Sequence, residues 1–112
     1  MIGPVFVDAN VLLYARDKDE PVKRPRARAW LENLWRHGLG RTSTQVLSEY
    51  YVNATRKQGI GVAPEQAWED VKMYLAWRPL AIDVEVMTEA RNMEQRYRLS
   101  WWDSMVVAAA RW

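Results

Sequence analysis

A chain of 112 residues that is 49% hydrophobic and 27% charged has the composition of one folded domain with a single core, not of a disordered segment. The formal charge of +2 does not by itself mark a nucleic-acid binder. The absence of cysteine excludes a disulfide framework and thiolate metal sites, and leaves a reducing cytoplasm as the expected compartment.

No apolar run approaches the ~20 residues of a membrane span, and the N-terminus lacks the charged-then-apolar pattern of a signal peptide. Val5, Phe6 and Val7 form a short apolar run, which predicts a strand over residues 4–7 that is covered on both faces. Asp8 stands where this strand gives out, and a helix over 9–16 follows. In an open α/β sheet, chemistry gathers outside the carboxyl ends of the strands, so Asp8 is a candidate functional acid. An Asp there also serves as a helix N-cap.

A polar loop over 17–21 leads to a second helix over 22–37. Pro25 is tolerated only in its first turn, so the helix can begin as late as Arg24. Ala27, Trp30, Leu31, Leu34 and Trp35 recur at helical spacing, and Gly38 is the expected stop. Residues 40–43 are a short second strand. A third helix runs over 44–58, with Val46, Leu47, Tyr50, Tyr51 and Ala54 on one face, and Gly59 and Gly61 end it. Pro64 opens a fourth helix that reaches residue 77. Residues 80–82 form a third strand, Asp83 caps a helix over 84–97, and Ser100 caps the last helix, from Trp101 onward. Strands separated by helices imply parallel crossovers and a sheet with helices on both faces. Most of the seven tryptophans are expected in the core, because indole carries a large burial energy.

Three acids recur in equivalent places. Asp8 follows strand one, Glu49 lies in the second turn of the helix after strand two, and Asp103 lies in the first turn of the last helix. If strands one and two are neighbours, the carboxyl ends of the sheet bring these acids together. Converging carboxylates repel one another unless a cation sits between them. Oxygen ligands with no cysteine and no nearby histidine point to Mg²⁺ or Mn²⁺, a setting suited to phosphodiester hydrolysis. Each acid has a plainer explanation too. Asp8 caps a helix, Glu49 flanks an apolar stripe as surface residues do, and Ser100-x-x-Asp103 has capping-box spacing. Asp17, Asp19, Glu20, Glu65, Glu69 and Asp70 read as solvated charge, and His37 reads as a helix C-terminal residue facing the dipole.

Val5–Leu12, Thr42–Tyr51 and Leu99–Ala110 are similar, in series, to the successive motifs of the PIN-domain family, in the manner of VapC-type toxins of bacterial toxin–antitoxin pairs. The resemblance covers nearly the whole chain. It implies a single domain over 1–112 with an α/β fold, a PIN-like α/β/α sandwich around a short parallel central sheet. It implies that Asp8, Glu49 and Asp103 are metal-binding acids of a Mg²⁺- or Mn²⁺-dependent ribonuclease. Asn10 and Ser43 match family positions that support the site by hydrogen bonding. The resemblance also implies an RNA substrate, a small antitoxin partner and a homodimer. Family members usually continue into another strand, often with a fourth acid, so a C-terminally truncated domain is expected here.

Arg41, Arg56 and Lys57 are candidate phosphate contacts, although such charges also serve as ordinary solvated surface. The alternative to a nuclease is a catalytically inactive PIN-like module that binds antitoxin or RNA. A phosphatase with Asp8 as nucleophile fits less well, because its family has a second Asp where this chain has Asn10.

Overall fold

The strand β1 (Val5–Phe6) is short because only a short apolar stretch precedes Asp8, which breaks the run and turns the chain into the helix α1 (Ala9–Tyr14). A computed structural model of the chain describes residues 3–111. The helix α2 (Lys23–His37) follows and stops at Gly38, whose φ of 66° is the left-handed conformation that a side chain resists. The strand β2 (Gly40–Arg41) then lies parallel to β1, with Val5 opposite Gly40 and Phe6 opposite Arg41. Next come α3 (Thr44–Thr55) and α4 (Pro64–Tyr74), the latter tightening into a 3-10 turn at Leu75–Trp77. A helical pair, α5 (Val84–Tyr97) and α6 (Trp101–Arg111), completes the described chain. The architecture is therefore α/β, mostly helical, around a short parallel two-stranded sheet.

The expected third strand is reduced to a single parallel bridge between Ser43 and Leu80. Leu80 N–H donates to the Thr42 carbonyl at 3.0 Å, and Thr44 N–H donates to the Leu80 carbonyl at 2.9 Å. The neighbouring Arg41 carbonyl bonds Val7 N–H at 2.8 Å. Successive carbonyls of an extended chain point to opposite sides, so Leu80 lies on the edge of β2 away from β1. Pairing stops there because Pro79 has no N–H to donate, and Asp83 already caps the next helix.

The third helix ends at Thr55, not at residue 58. Thr55 Oγ1 donates back to the Tyr51 carbonyl at 2.8 Å, and Arg56 leaves in an extended conformation. A hydroxyl bonding the preceding turn competes with the helical backbone.

Two apolar clusters form the interior. The larger joins β1, α1, α2, α3 and α4 through Val7, Leu12, Leu31, Leu34, Val46, Tyr50 and Val71. The second is local to α5 and α6, where Val86 and Ala90 meet Met105 and Ala108, with Leu80, Ile82 and Trp101 packed against them. Tryptophan departs from expectation. Trp30, Trp68 and Trp102 are exposed, and Trp112 lies outside the described residues. Trp35 and Trp77 are half-buried and clasp Tyr74, with ring centroids 5.5 and 4.8 Å from it. Trp77 also lies flat enough on β2 that a Cβ on Gly40 would come within 2.4 Å of its ring. Indoles thus roof the core at its rim, a place suited to a ring too large to bury fully.

Asp70 is the main correction among the acids. It is 8% exposed and not solvated. Arg16 holds it bidentately, Nε to Oδ2 at 2.9 Å and Nη2 to Oδ1 at 2.6 Å. Tyr50 Oη donates to Oδ2, and Gln66 Nε2 donates to Oδ1 at 3.0 Å. Burial pushes the Asp70 carboxyl up, but the bonds from Arg16, Tyr50 and Gln66 outweigh it and hold the group below the usual carboxylate range. Burial, followed by the bond to Asp70, pushes the Tyr50 phenol well above its ordinary value.

Removing one member of this set strands the others. Asp70→Ala is expected to destabilise the domain by about 2–3 kcal/mol in urea unfolding, less than for a fully buried pair because Arg16 keeps part of its side chain in water. The pH dependence follows from the lowered carboxyl. Its contribution is complete above the unfolded value of about 3.9 and is lost as pH falls through the lower folded value. Asp70→Asn is expected to flatten that acid limb of a stability–pH curve.

Candidate active site

Asp8 reaches the end of β1 because Val7, completely buried, anchors the residue before it. It is the N-cap of α1, and its Oδ1 accepts from Ala9 N–H at 2.7 Å. Glu49 lies half-buried in the second turn of α3. Its Oε1 accepts from Gln45 Nε2 at 3.0 Å, and its backbone carbonyl accepts from Asn53 Nδ2 at 2.9 Å. Asp103 lies in the first turn of α6, where its N–H donates to Ser100 Oγ at 3.1 Å, so Ser100 caps that helix as the sequence predicts.

These acids come from three separate helical segments, yet all of them line one small pocket of about 160 Å³. Asn10, Leu13, Asn53, Trp102 and Val106 complete its wall with Ala9. No cationic side chain lines it, and among the described residues none of the three carboxylates is in an ion pair. The lining is mostly polar, unlike that of two larger cavities elsewhere. One of about 450 Å³ lies between α1, α2 and α4, and one of about 600 Å³ lies between α3 and α4; both are mainly apolar. Concentrated negative charge without a counter-charge sets the small pocket apart chemically.

The donor set is oxygen only, which suits a hard divalent cation. Among the described residues, however, no group of three acidic or histidine side chains stands close enough to hold one ion jointly. The arrangement fits an ion taken directly by one or two carboxylates and otherwise by water, the usual manner for Mg²⁺.

Asn10 is exposed and on the pocket wall. Ser43 is completely buried and off the wall, where its Oγ accepts from Val46 N–H at 3.2 Å and caps α3. Its link to the acids is the helix that carries Glu49. Arg41 turns its guanidinium to the Gly38 and Gly40 carbonyls at 3.1 and 2.8 Å, away from the pocket. Arg56 and Lys57 are exposed beyond the end of α3, again off the wall. Asn53 and Trp102 line the pocket without having been singled out. Asn53 was findable, because it lies one turn beyond Glu49 on the same helix face.

The sequence matches the PIN domain over residues 5–111. The chain belongs to the PIN-domain family. No curated protein and no solved structure gives a match to it. PIN domains are generally nucleases and typically use divalent metals, so the acid pocket stands in a nuclease family. Among the described residues, no helix is long and apolar enough to cross a membrane.

The acids of the pocket have a measurable signature. Asp103→Asn removes one of these acids while its N–H keeps the bond to Ser100 Oγ, so the metal-free variant is expected to fold as the wild type does. Adding Mn²⁺ is expected to raise the melting temperature of the wild type more than that of this variant, as differential scanning fluorimetry would read.

Proposed function

We propose that this PIN domain is a Mg²⁺- or Mn²⁺-dependent endoribonuclease, the toxin of a toxin–antitoxin pair. The observation that carries the reading is the pocket where Asp8, Glu49 and Asp103 meet without a cationic neighbour. Carboxylates in that setting favour a divalent cation, which one or two of Asp8, Glu49 and Asp103 would hold directly, with water as its remaining ligands. Such an ion, when bound, supplies stabilisation of the negative charge that builds up during phosphodiester hydrolysis.

The chain's own groups complete the proposal. The amides of Asn10 and Asn53 offer donors at the pocket wall, where a phosphate oxygen needs them. Trp102 is 60% exposed and sits on the wall beside Asp103, which gives an unpaired base a face to stack on. Arg56 and Lys57, exposed beyond α3, would neutralise phosphates farther along the strand. A cytoplasmic antitoxin and a homodimer belong to the same proposal. The open apolar cavity between α1, α2 and α4, lined by Leu12, Leu31, Trp35 and Met73, is of a kind that takes a helical peptide.

A second reading has its own support. Because no three acids converge on one ion, a PIN-like module that binds antitoxin or RNA without cutting is the alternative. Cleavage of a labelled structured RNA separates the two. The nuclease reading expects cutting with Mn²⁺, none with EDTA, and a loss of about 100-fold or more in Asp8→Asn, in line with removal of a metal-supporting acid. Asn keeps the N-cap, so that variant should remain folded. A folded wild type that binds RNA and never cuts it would establish the binding module.

Trp102→Ala is expected to weaken binding of a single-stranded oligonucleotide by about 10-fold while leaving duplex binding unchanged. A filter-binding titration in EDTA reads this apart from turnover.

A further inference from the structure

Gln45 sits one helical turn before Glu49 on α3 and is 9% exposed. Its Nε2 donates to Glu49 Oε1 at 3.0 Å. Its own Oε1 is buried and accepts no hydrogen bond. The amide cannot be turned round to relieve this, because a carboxylate accepts only, and the flipped amide would set two oxygens against each other. A buried carbonyl oxygen without a donor is unfavourable for the fold. Its helix neighbours Val46 and Leu47 are buried apolar residues, and an apolar side chain of similar volume at position 45 would leave no polar atom unpaired. Stability therefore does not explain the amide; its contact with Glu49 does.

We infer that Gln45 is a positioning residue that fixes the Glu49 carboxylate for the acid pocket. This rests on the reading of Glu49 as a cation-holding acid. Gln45 grips one carboxylate oxygen from the turn before, and Asn53 bonds the Glu49 carbonyl from the turn after. The side chain is held at one oxygen and presents the other. A free glutamate on an exposed helix face would instead sample several rotamers. Held in one, it meets a cation without first losing that freedom.

The test uses the whole chain, free of RNA, with Mn²⁺ as the probe. Gln45→Leu and Gln45→Met remove the donor and the orphaned oxygen while keeping bulk. Both are expected to melt at or above the wild-type temperature. Both are also expected to bind Mn²⁺ about 10-fold or more weakly by calorimetry. Stability and ion affinity moving in opposite directions is a signature that a merely structural glutamine would not give. Wild-type Mn²⁺ affinity in either folded variant would overturn the inference, and so would a joint loss of stability and affinity in both. Glu49→Gln is the control for the underlying reading. If it binds Mn²⁺ as the wild type does, or if the wild type binds none, the assignment of the pocket fails and the role of Gln45 falls with it. If Glu49→Gln loses Mn²⁺ and the Gln45 variants do not, only the role of Gln45 fails.

Discussion

The buried carboxylate of Asp70 ties the main body of this PIN domain together. Arg16 follows α1, Tyr50 belongs to α3, and Asp70 and Gln66 belong to α4, so one anion fastens three helical segments. It does so near the aromatic cluster of Trp35, Tyr74 and Trp77 that closes the same side of the core. A buried anion tolerates no loose partner, because each unfilled lone pair costs desolvation that nothing repays. That constraint sets the relative positions of α1 and α3. Those two segments carry Asp8 and Glu49 to the acid pocket. The charge chemistry of the molecule thus has two poles. One is a carboxylate surrounded by donors, which is structural. The other is a set of carboxylates with no cation near them, which is suited to recruiting one.

Much of this was legible in the sequence. The capping residues Asp8, Asp83 and Ser100 all begin helices, because a side-chain acceptor next to free backbone N–H groups is a strictly local signal. Gly38 ends α2 for an equally local reason. The parallel pairing of β1 and β2 followed from the helices between them. That Asp8, Glu49 and Asp103 share one pocket also follows from the sequence order, once those strands are neighbours.

What stayed hidden depends on partners far away along the chain. Asp70 lies on what looks like the polar face of α4, and nothing near it announces Arg16, 54 positions earlier. The exposed Trp30, Trp68 and Trp102 could not be told from buried ones, because composition reports that an indole is present and not which way its helix turns it. Residues 80–82 have a strand's composition, but pairing needs a run of donors, and Pro79 and the cap at Asp83 leave room for one bridge. Gln45 and Asn53 sat at helical spacing from Glu49 throughout, and only the contacts show that both are bonded to it.

The division of the interior into two clusters has a consequence of its own. Asp103 rides on the α5–α6 pair, whose packing is internal, while Asp8 and Glu49 ride on the larger body. The backbone bonds of Leu80 with Thr42 and Thr44 stitch the two along a narrow seam. Segments with separate cores open with separate free energies, so the docking of the pair depends on that seam more than on a shared core. The acid pocket straddles that seam. A ligand held by residues from both sides of the seam would therefore also favour the docked position of the pair.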